Sequence, residues 1–181
     1  MRKNQSANIA IGGIVSALAL VLMFFTGVFP FATYALPALA GLLLTVIVVD
    51  FGRRWAWSVY AVIAILSLFV TPDREAAVMF VMFFGYYPIL KSVFEQIPSR
   101  VTEYVLKFVV FNVAVVTAYL LLIYVLRMPD ILTEFGELGK YGVWITLGLG
   151  NVTFLIYDIA LTRLIMLYTR WLKPRLLKKR S

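Results

Sequence analysis

The 181 residues are 62% hydrophobic, with a mean hydropathy of +0.92 and a net charge of +8. A soluble domain is nearer half apolar, so the composition points to a membrane protein; at about 20 apolar residues per span, six spans with short connections use the whole chain. Cysteine and histidine are both absent, which excludes disulfides, thiol nucleophiles and the usual zinc and haem sites, and removes the commonest general base.

Lipid cannot satisfy open backbone groups, so spans are helices or a closed barrel. The apolar runs are continuous and lack the alternation of barrel strands. The reading is therefore all-α: a polytopic protein with one six-helix transmembrane domain over residues 1–181 and a basic tail from about residue 170. Arg2 and Lys3 precede the first run, but that run is too long for a signal peptide core and no small-residue cleavage site follows. It reads as a retained helix over residues 7–28. The second covers 33–49, with Pro37 in its first turn, where a missing N–H costs little. The third runs over 55–70 and stops at Thr71-Pro72. The fourth covers 74–96, interrupted by Gly85-Tyr86-Tyr87-Pro88. The fifth covers 101–126, and a connection over 129–140, long enough to suggest a lid, leads to the sixth over 141–172.

Six spans place both termini on one side, and the distribution of Lys and Arg chooses the side. Arg2, Lys3, Arg53, Arg54, Lys91, Arg100, Lys107, Arg163, Arg170 and the basic tail fall on the face with the termini, against Arg74, Arg127 and Lys140 on the other. The termini are expected in the cytoplasm of a cell with this protein in its plasma membrane. Anionic membrane lipid then accounts for the positive charge, and a nucleic-acid partner is not expected. Trp55, Trp57, Trp144 and Trp171 lie near span ends, as interfacial tryptophans do.

Polar residues inside the spans are the candidates for function. The sixth helix carries Trp144, Gly148, Asn151, Asp158 and Thr162 on one face. At 1.5 Å per residue Asn151 is about 14 Å and Asp158 about 25 Å from its outer end. A carboxylate in a span needs a partner, and Arg54, Arg163 or a loop base is expected to pair with Asp158, with a proton or cation site as the alternative. Asn112 and Tyr119 share a face of the fifth helix, and Glu75, Met79, Met82 and Tyr86 a face of the fourth. If these faces meet, Tyr86, Asn112 and Asn151 form the floor of an outward pocket, with Glu75, Tyr119 and Trp144 nearer its mouth. Bonding across helices for stability alone is the competing account. Asp73 suits a helix cap and Glu75 the positive end of that helix. Arg74 is left over, to pair with Glu134 or Glu137 or to meet an anionic ligand. Pro88 frees a backbone carbonyl near residue 84 at mid-membrane depth, which makes the break a candidate pocket floor. On the first helix, Gly12 and Ser16, and Gly13 and Ala17, form small faces that permit close helix approach, within the bundle or to another subunit.

With these features the chain resembles, over nearly its whole length, the substrate-binding S components of energy-coupling factor (ECF) vitamin transporters: their size, six helices, cytoplasmic ends and a small-residue motif on helix 1. That family's Ala-x-x-x-Ala motif docks the coupling transmembrane subunit; Gly13 and Ala17 are the matching positions, with Gly12 and Ser16 beside them, and the change to Gly and Ser departs from the motif. The resemblance implies uptake of a vitamin or other small nutrient bound under the loops near 29–33, 71–75 and 129–140, and energy from two ATPase subunits. It implies no enzyme activity and no cofactor or metal in this chain, which carries no Walker motif and no paired catalytic carboxylates in its spans. A stand-alone ion-coupled transporter and a non-catalytic membrane assembly or regulatory protein are the other functions considered.

Overall fold

The computed structural model describes residues 2–128, 131 and 139–172. Among these there are helices and turns but no strand. We label the rods α1 (Arg2–Phe25), α2 (Ala35–Phe51), α3 (Arg53–Val70), α4 (Arg74–Phe94), α5 (Arg100–Val125) and α6 (Gly142–Trp171). All but α2 are long and apolar enough to cross a membrane; α2 is apolar and has 17 residues. Large apolar side chains such as Ile14, Phe69 and Leu149 lie on the outside, whereas Lys91, Glu103, Lys107 and Asp158 are buried. Apolar surface outside and charge inside is compatible with a multi-pass membrane protein. The connection over 129–140 and the basic tail lie largely outside the described residues, Asp130, Glu134 and Glu137 among them.

α2 is the central rod. It touches α1, α3, α4 and α6 and buries Ala40, Leu44 and Ile47 completely. Gly52 is the whole connection from α2 to α3, with φ 84° and ψ 169°, a region open essentially to glycine alone. Gly41 serves a different purpose. A Cβ there would lie 2.2 Å from the Phe84 carbonyl oxygen, so glycine is what lets α2 and α4 touch backbone to backbone.

α4 is not a uniform helix. It is α-helical over Arg74–Met79, a π-helix over Phe80–Phe84, and α-helical again over Tyr87–Phe94. Pro88 has no N–H to return to the Phe84 carbonyl, and the backbone widens ahead of it: the Gly85 N–H donates to the Phe80 carbonyl at 2.8 Å, five residues back. Asp73 caps the start of α4 as expected, accepting from the N–H groups of Glu75 at 2.9 Å and Ala76 at 3.1 Å. α5 also ends in a π turn, Leu121–Val125.

Side-chain bonds identify the two ends of the bundle. Thr33 donates to Asp73 at 2.8 Å and Tyr34 to Glu75, joining the α1–α2 and α3–α4 connections at the Glu75 end. Tyr168 donates to Asp50, joining the far ends of α6 and α2 at the Asp50 end.

Candidate functional site

One face of α4 and one of α5 repeat at four-residue steps. On α4 the face carries Glu75, Met79, Phe83, Tyr87, Lys91 and Glu95; on α5 it carries Glu103, Lys107, Phe111, Val115, Tyr119 and Ile123. Turned toward α6, the two faces build three layers. A cluster of charge lies toward the Asp50 end, aromatic rings lie above it, and a cavity opens above the rings.

In the charged layer, Asp158 of α6 meets Lys91 through one carboxylate oxygen and Lys107 at 3.1 Å through the other. The Tyr87 hydroxyl donates to the Asp158 carboxylate at 2.6 Å, and Lys91 donates to the Asp158 backbone carbonyl at 3.1 Å. Lys91 also meets Glu95 at 3.1 Å, Lys107 meets Glu103 at 2.8 Å, and Arg100 meets Glu103 at 3.3 Å. Lys91 is wholly buried and Lys107, Glu103 and Asp158 nearly so. Buried charge is costly unless paired and hydrogen-bonded, and three cations against three carboxylates meet that condition. The cluster ties α4, α5 and α6 together.

These partners correct the expectation for Asp158, which pairs with two lysines inside the bundle rather than with Arg54 or Arg163. Lys91 and Lys107 are correspondingly not face charges. The exposed Arg53, Arg54, Arg100, Arg163 and Arg170 remain at the Asp50 end.

Phe83 packs edge-on against Phe111 with centroids 5.2 Å apart, and Phe111 stacks on Phe154 at 4.7 Å and 12°. This layer floors a cavity of about 480 Å³ between α4, α5 and α6. Its wall is largely aliphatic and aromatic, and among the described residues no charged side chain contributes to it. Two π segments border it: Phe83 and Phe84 come from the one in α4, Ile123 and Tyr124 from the one in α5. Such segments frequently occur at functional sites. Tyr34 and Tyr119 stand at the Glu75 end of the wall. Both hydroxyls bond the same Glu75 carboxylate oxygen, Tyr119 at 3.4 Å, and they lie 2.8 Å from each other. Partial desolvation, then the adjacent Tyr119 and Glu75, raise the Tyr34 phenol above the usual tyrosine range. No group of His, Cys, Asp and Glu suited to a metal ion occurs among the described residues.

Of the residues singled out from sequence, Tyr119 lines the cavity and Glu75 bonds its rim. Asn112 and Asn151 do meet, through reciprocal amide bonds of 2.8 and 3.0 Å, but as a clasp between α5 and α6 outside the cavity wall. Tyr86 faces the other way, stacked on Trp57 of α3 with centroids 6.4 Å apart. The π segment explains this: its extra residue per turn brings Phe83 and Tyr87 to the inner face of α4 in place of Tyr86, while Met82 still packs against the cluster that holds Met79 and Leu122. Arg74 and Trp144 are exposed and off the wall. The break at Pro88 lies beside the floor, where Phe83 and Phe84 contribute to the wall. On α1, Gly12 packs against Trp55 and Val59 of α3, whereas Gly13 and Ala17 face outward and Ser16 is half-buried. Lys91 and Lys107 are the residues that sequence reading missed. Their signal was the four-residue step from Tyr87 to Lys91 to Glu95 and from Glu103 to Lys107, which puts each lysine on the apolar face of its helix.

No protein-family model, curated protein or solved structure matches the chain.

Proposed function

We propose that the chain is the substrate-binding membrane subunit of an ECF-type transporter, taking up a vitamin or other small nutrient. The observation that carries this reading is the floored cavity near the Glu75 end. Its size is within the range of small-molecule sites, about 300–1,000 Å³, and the paired charges beneath the floor belong to the frame rather than to the wall. In this reading all six helices span, with both termini cytoplasmic and the Glu75 end outside. α2 spans despite its length because it is enclosed by the other rods; at 1.5 Å per residue it is about 26 Å long. The exposed arginines of the Asp50 end support this orientation.

The outward face of α1 is the proposed contact with the coupling transmembrane subunit, through which two ATPase subunits would act. Gly13 has nothing within 4 Å of where a Cβ would stand, so a partner helix could approach its backbone closely. Tagged protein expressed in its native host should retain ATPase subunits on purification. Gly13→Leu and Ala17→Leu should abolish uptake while leaving ligand binding intact. Normal uptake in both variants, or purification without any ATPase subunit, would remove the reading's support.

A further inference from the structure

Resting on the reading that the cavity is the binding site, we propose that it takes a neutral, largely apolar aromatic molecule. That molecule reaches it from the membrane and turns one hydrogen-bonding group toward Tyr34 and Tyr119. Among the described residues the wall offers no charged side chain, so an ionic ligand would lie desolvated and unpaired against them. The rings of Phe83, Phe111 and Phe154 give the inner end faces and edges for stacking. The polar groups stand at the opposite end, where the Tyr34 and Tyr119 hydroxyls send their protons to Glu75 and to one another and offer oxygen lone pairs that accept from a ligand donor. Several wall residues are also outer-surface residues: Val116 is 45%, Leu120 50% and Leu149 63% exposed. The cavity therefore opens sideways between α5 and α6, through an apolar margin that faces hydrocarbon in a bilayer. A molecule already dissolved in the membrane meets no polar barrier on that route, and a polar group oriented to the interface arrives beside Tyr34 and Tyr119.

The test uses the chain alone in phosphatidylcholine nanodiscs with three radiolabelled probes. These are 2-naphthol, neutral with one hydroxyl; 2-naphthoate, its anionic relative; and naphthalene, without a polar group. Saturable 2-naphthol binding above that of empty discs is expected, with 2-naphthoate at least about tenfold weaker. Tyr119→Phe should weaken 2-naphthol about five- to tenfold and leave naphthalene unchanged. Gly150→Leu places a side chain into the wall, with its Cβ 3.5 Å from the Phe111 ring; it and Leu147→Trp should each abolish binding of both neutral probes while helical circular dichroism stays the same. Binding of 2-naphthol no greater than to empty discs would overturn the proposal. So would equal binding of 2-naphthoate, an equal loss of naphthalene in Tyr119→Phe, or undiminished binding in both filled variants. Because no partner subunit is present, failure here is distinct from failure of the transporter reading, which the co-purification decides.

Discussion

Asp158 holds two lysines through separate carboxylate oxygens, and so removing its charge affects three helices at once. Asp158→Asn leaves Lys91 and Lys107 each with a single glutamate, and breaking a buried pair costs about 3 kcal/mol or more. A large fall in the thermal midpoint in detergent is the expected result; an unchanged midpoint would mean the cluster does not hold the helices. Gly41→Ala should be comparably damaging because the clash is with backbone, which cannot rotate away; overpacking of this kind costs about 3 kcal/mol. Tyr34 carries a pH dependence. Its raised pKa means the folded protein holds the phenolic proton more tightly than the unfolded chain. The associated stability is present below the ordinary tyrosine pKa of about 10 and is lost as pH rises beyond it. Alkaline melts should show this loss, and Tyr34→Phe should make it smaller. Asp158 was legible as a residue needing a partner, because carboxylates in spans do. Its actual partners were not, because lysines near helix ends look like interface charges until the neighbouring helices are in place.

α5 and α6 are joined by the Asn112–Asn151 clasp and by the charged layer, and between the clasp and the Glu75 end they part around the cavity. A double-mutant cycle with alanine at both asparagines should return a coupling of about 1 kcal/mol, the scale of interhelical bonds in membranes; zero coupling would dismiss the clasp. The helix positions themselves were readable from apolar runs and from the Thr71-Pro72 boundary, because span length and proline chemistry are local. The inner face of α4 was not. The sequence places Pro88 in plain view but does not reveal that the backbone absorbs it as a π segment, and that one change of period exchanges Tyr86 for Tyr87. Asn112 and Asn151 were expected to share a pocket floor if their helix faces met; the faces meet, but the two amides bond one another, a choice that depends on the distance between their helices.

At the scale of the whole molecule, the absence of cysteine makes the topology directly testable. Single cysteines replacing Pro72 and Pro98 report on opposite ends without background labelling. With intact cells, a membrane-impermeant maleimide should modify Pro72→Cys, and should modify Pro98→Cys only after permeabilisation. The reverse pattern would invert the proposed orientation and with it the placement of the cavity toward the outside.

Composition and run length determined that the chain is a bundle of apolar helices, since backbone groups in lipid must be satisfied within each helix and long apolar runs satisfy them locally. They also determined where those helices begin and end to within a few residues. Only the tertiary structure decided which polar residues meet. It enclosed Lys91 and Lys107 with Asp158, turned Tyr86 away, and brought Phe83, Phe111 and Phe154 under a cavity whose described wall is uncharged. Such contacts depend on helix rotation and on close approaches like that at Gly41, and these follow from the packing of distant segments rather than from the pattern of any one of them.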